Sequence, residues 1–138
     1  MVHALEVIHR LLAPGGFLLD VHPSGQPPPL EVRVDDRYYL AGWLKEADEY
    51  IEYIQADQAV QAVVERGLFV VEKSGTFTFN TYAATLEDLR AYLDDDWDDA
   101  ILEDQVAGRV EDLWRSPSKD KELIVREIGK ISRLRSQR

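Results

Sequence analysis

Two residues near the start of the chain have the types and spacing that proton chemistry uses. Asp20 and His22 stand two apart in "FLLDVHP", so in an extended strand both project from one face. An imidazole changes charge close to neutral pH and can act as a general base, and a neighbouring carboxylate can orient its ring. His22 and Asp20 are therefore the candidate catalytic residues. The competing reading is structural, with His22 bonded to loop backbone and Asp20 capping a neighbouring helix. His3 and His9 share one predicted helix but not a ligand spacing on one face, and both read as surface residues.

The rest of the chain offers little further chemistry. It holds no cysteine, which excludes disulfides, thiol catalysis and Cys-ligated zinc. There is no Ser-His-Asp order, no phosphate-binding loop and no metal-ligand helix. The run "LDDDWDDAILED" at 93–104 is acidic, but its carboxylates lack a Gly-centred ligand loop. It reads as a solvated face, and no metal site is assigned. Tyr38, Tyr39 and Trp43 could line a small-molecule pocket or serve as core and interface residues.

The elements that must position Asp20 and His22 can be read from periodicity. Val2 to Leu12 reads as a helix with Leu5, Ile8, Leu11 and Leu12 on one face. Pro14 cannot continue it, and Gly15-Gly16 turns the chain. "FLLDV" follows as a short apolar strand of the kind covered on both faces, closed by His22-Pro23. A β-hairpin spans roughly 30–44 about Asp35-Asp36, and a long helix runs from Glu46 to Arg66. Its apolar stripe is Ile51, Ile54, Ala59, Val60, Val63 and Val64.

"LFVVEKSGTFTFNTYAA" is β-rich, and Lys73-Ser74-Gly75 marks either a hairpin turn or a bulge in one strand. Thr85 opens a helix to about Leu93, and another covers Leu102 to Trp114. The segment 122–134 fits a helix or a strand, with the strand preferred because the sheet needs another member.

Composition bounds the class. With 45% hydrophobic and 30% charged residues among 138, the chain reads as one globular domain over 1–138. No apolar run approaches the roughly 20 residues of a membrane span, and no secretion signal opens the chain, so a cytoplasmic home and no membrane partner are expected. A net charge of −10 argues against nucleic-acid binding.

The opening stretch resembles the C-terminal half of class I S-adenosylmethionine-dependent methyltransferases. The matching residues are Glu6, His9, Arg10, Leu11, Leu12, Pro14, Gly15, Gly16, Phe17, Leu18 and Leu19, the "E…RLL.PGG" helix that leads into the family's fifth strand. The later order is also similar: "VVERGLF" closing a helix, a β-rich stretch, then a final strand. The resemblance implies an α/β fold, a partial Rossmann-like methyltransferase sheet of mixed direction with antiparallel C-terminal strands. It is layered with helices and carries an inserted hairpin. It also places the end of the "FLLDV" strand near the acceptor pocket.

One departure qualifies the resemblance. The family holds its methyl donor with a Gly-rich loop after the first strand, and this sequence has no G-x-G-x-G and no strand before Gly15. The expectation is a methyltransferase-like C-terminal domain that binds no cofactor alone and is catalytically silent. One alternative is a complete S-adenosylmethionine-dependent enzyme whose first half is encoded upstream or supplied by another chain. The other is an unrelated small α/β module that binds a small ligand. An apolar "FLLDV" edge without its usual neighbour further implies a homodimer.

Overall fold

A computed structural model describes residues 1–138 and shows a mixed α/β protein with four helices. The residues divide into two compact units of non-contiguous stretches. The first comprises Met1–Gly25, Tyr50–Phe77 and Ile128–Arg138; the second comprises Gln26–Glu49 and Thr78–Glu127. Two long strands, β5 (Phe69–Ala83) and β7 (Lys121–Ser136), contribute to both units and pair with each other. The ambiguous segment 122–134 is thus strand, and "Lys73-Ser74-Gly75" lies within one continuous strand rather than turning a hairpin.

In the first unit, helix α1 (Val2–Leu11) stops as Leu12 goes extended. Gly15 at φ +71° makes the turn, a conformation that L side chains rarely adopt. Strand β1 (Phe17–Pro23) follows and lies antiparallel to the end of β7, with Phe17 opposite Arg135 and Pro23 opposite Gly129. Helix α2 (Ile51–Glu65) packs with α1 over the core of Leu5, Ala59, Val63, Phe69 and Leu134, to which Leu18 adds its side chain.

Four sequence expectations are corrected by the structure. First, β1 is not covered on both faces. Phe17, Leu19 and Val21 are 47%, 54% and 55% exposed, because both helices lie on the Leu18 face. Second, α2 begins at Ile51 rather than Glu46. Lys45-Glu46 instead forms a two-residue strand, β4, and Glu49 and Tyr50 take left-handed φ values that no helix continues through. Third, Ile51 and Ile54 are exposed. The buried stripe is Ala56, Ala59 and Val63, and counting in helical steps puts both isoleucines on the adjoining polar face with Gln58 and Gln61. Fourth, Leu11 points away from the α1 stripe.

The second unit is built on the expected hairpin. Strands β2 (Pro29–Val34) and β3 (Arg37–Trp43) pair antiparallel across Asp35-Asp36, where Asp35 has φ +53°. The other edge of β2 pairs antiparallel with Lys121–Val125 of β7. Two helices, α3 (Leu86–Asp96) and α4 (Asp104–Trp114), join the core formed by Leu30, Val32, Ala41, Leu89, Val110 and Leu123. Thr85 caps α3 by accepting from the Asp88 backbone N–H at 3.0 Å. The short strand β6 (Ala100–Ile101) pairs with β4.

Candidate functional site

Alternation along β1 decides which of its side chains can form a site. Leu18, Asp20 and His22 share the helix-covered face, so Asp20 and His22 sit beside one another as their spacing predicts. In register across the strand pair, Asp20 faces Ser132 and His22 faces Lys130 on β7. Helix α2 adds Asp57, one turn before Gln61 on its polar flank. These residues line a cleft of about 360 Å³ whose apolar wall includes Val60.

His22 is the hub of the cluster and only 12% exposed. Its Nε2 lies 2.9 Å from Asp57 Oδ1, a hydrogen bond in which the ring N–H donates to the carboxylate. Its Nδ1 lies 2.9 Å from Asp20 Oδ2. That second approach is not a directed hydrogen bond, since the buried Nδ1 has no hydrogen-bond partner of acceptable geometry. The Lys130 ammonium closes the cluster by donating to Asp57 Oδ2. Burial pushes the Asp57 carboxyl up, but the Lys130 and His22 hydrogen bonds outweigh it and hold the carboxyl below its ordinary value.

This arrangement joins Asp20 and His22 and adds two partners that sequence reasoning missed. Asp57 and Lys130 each look like ordinary surface charges in the sequence; only the packing of α2 on the strand pair brings them to His22. The backbone-bonded reading of His22 does not describe it, because its contacts are to carboxylates from β1 and α2. Chemically, the ring is held with each nitrogen beside a carboxylate. It presents no accessible nitrogen to a substrate, because Nε2 is bonded to Asp57 and Nδ1 is buried against Asp20.

The other singled-out residues lie elsewhere. His3 is exposed beside Glu6, whereas His9 is half-buried with its ring edge-on to Phe69, 5.1 Å between centroids. Trp43 lines an open cleft with Gln26, Pro27 and Lys45, while Tyr38 and Tyr39 stand exposed on β3. Glu46, Asp48 and Asp99 bring three carboxylate oxygens within 4.8 Å of one another, and they are the carboxylates that could share a cation. Glu46 is already engaged there, accepting from Trp97 Nε1 at 2.8 Å. No helix is long and apolar enough to cross a membrane. No protein-family model, curated protein or solved structure matches the chain.

Proposed function

We propose that these 138 residues are the acceptor-side half of a methyltransferase-like fold and do not bind the methyl donor by themselves. One observation supports this reading above the others. The "PGG" strand β1 lies antiparallel beside the last strand β7, which also pairs with β5, the β-rich strand that follows the "VVERG" helix end. The resemblance implies such a neighbourhood for the fifth strand and the closing antiparallel pair.

The donor-binding elements have no counterpart in the two units. The first strand, β1, follows the Pro-Gly-Gly turn and leads into "PSGQPPP", and no Gly-rich loop opens onto a helix. The cluster at the end of β1 stands where the resemblance places the acceptor pocket. Its engaged His22 suits it to positioning α2 against the strands more than to proton abstraction. On this reading Asp20 and His22 organise the acceptor side and do no chemistry alone.

Calorimetric titration of S-adenosylmethionine into the 138-residue chain tests the proposal. No saturable heat is expected up to about 1 mM ligand, the limit of weak specific binding. A micromolar dissociation constant would overturn it.

A further inference from the structure

We infer that β1 is an association strand, pairing antiparallel about a two-fold axis with β1 of a second copy of this chain. The inference does not rest on the methyltransferase reading; it follows from the strand's open edge and from the order of its side chains. One edge of β1 is taken by β7, and no other element of the chain pairs with β1. The second edge thus offers a row of backbone N–H and C=O groups that another strand can satisfy. No Pro or Lys stands within Phe17–His22 to block such pairing.

The occupant is specified by self-complementarity. Phe17, Leu19 and Val21 project from the uncovered face, each about half exposed, and they are spaced symmetrically about Leu19. A two-fold axis at Leu19 sets it opposite the partner's Leu19. Phe17 then meets the partner's Val21, and Val21 the partner's Phe17. Aromatic and β-branched pairs directly opposite on one face are the favourable cross-strand combination. A closed two-fold contact also consumes both open edges at once and leaves none for further growth.

Asp20 selects the register. It is the one carboxylate of β1, and a dyad centred on it would oppose two carboxylates. Centring on Leu19 instead places Asp20 opposite the partner's Leu18. The flanking charges are already settled on β7. Arg133 lies over the Phe17 ring, 4.2 Å from its centroid, and Glu72 accepts from Arg135 and forms an ion pair with Arg133, 2.9 Å from its Nε, so neither arginine confronts its copy unpaired.

The absence of cysteine gives a clean test. Light scattering of the wild-type chain at micromolar concentration is expected to give about twice 15.8 kDa, and Leu19→Lys to return the mass to one chain. Leu19→Cys, oxidised under native conditions, is expected to form a covalent dimer in high yield. Opposed Cα atoms of antiparallel strands, about 4.5–5.5 Å apart, fall in the disulfide range. The Leu19→Cys measurement needs no folded lysine variant. A wild-type monomer, or a dimer that neither Leu19→Lys dissociates nor Leu19→Cys cross-links, would overturn the inference.

Discussion

His22 Nε2 and Asp57 Oδ1, 35 positions apart in sequence, lie 2.9 Å from each other and tie strand β1 to helix α2. With Lys130 on the far oxygen of Asp57, the tie runs through three elements of one compact unit. Removing the imidazole leaves Asp20 and Asp57 facing a void, with Asp57 keeping only its Lys130 contact. His22→Ala is therefore expected to destabilise the protein by about 1–3 kcal/mol, the range for a part-buried bond to a charged group. In a thermal-melt double-mutant cycle, His22→Ala and Asp57→Asn should be less than additive. An unchanged melting temperature in His22→Ala would show that the cluster bears no structural role.

Acid unfolding should report the same cluster through Asp57. Its folded-state carboxyl is held below the ordinary value, so the folded protein binds fewer protons than the unfolded chain in the window between the two values. The stability it contributes is fully present above the ordinary carboxylate range and is lost as pH falls through the depressed value. Asp57 is 45% exposed, so solvent screening limits the effect to about 1 kcal/mol or less. Stability curves of wild type and Asp57→Asn should converge as pH falls through that window; parallel curves would contradict it.

Glu127 runs the opposite way. Burial raises its carboxyl above the ordinary value, so the folded state holds its proton longer than the unfolded chain does. Stability must then decline as pH rises from the ordinary value through the raised one, because ionisation is disfavoured in the fold. Glu127→Gln removes that charge and should raise the melting temperature at pH 7 by at most a few degrees, with little effect well below pH 4.5. A lower melting temperature at pH 7 would show that Glu127 has a stabilising partner.

Gly42 on β3 packs directly against Val106 of helix α4. A Cβ built there would lie 2.6 Å from Val106 Cγ2 and 3.1 Å from Cγ1, against a buried, β-branched side chain that has little room to turn. Gly42→Ala should cost about 1–3 kcal/mol by overpacking. Adding Val106→Ala should recover part of that loss, measured as a coupling in denaturant unfolding. Simple additivity would place the strain elsewhere.

The sequence made the hairpin, the first strand and the capped helix α3 legible, because each is specified locally. Asp35-Asp36 turns one, Gly15-Gly16 introduces another and Thr85 caps the third. The start of α2 was not legible, since it depends on Lys45-Glu46 pairing with Ala100-Ile101, residues far along the chain. The apolar content of β1 suggested burial on both faces. Hydrophobicity specifies that a face can be covered, but which face is covered depends on where α1 and α2 pack. For the site, strand alternation alone brought Asp20 and His22 together. Asp57 and Lys130 carry no local signal, because a charged residue on a helix flank or a strand reads the same whether it meets solvent or a histidine.

The antiparallel placement of β1 beside β7 is measured directly by cross-strand proton contacts. In solution, Hα–Hα nuclear Overhauser effects should join alternate residues of Phe17–Pro23 to those of Gly129–Arg135, in the antiparallel register that sets Leu19 against Arg133. Contacts from β1 to β2 instead, or a parallel pattern against β7, would contradict the arrangement and remove the support for the acceptor-side reading.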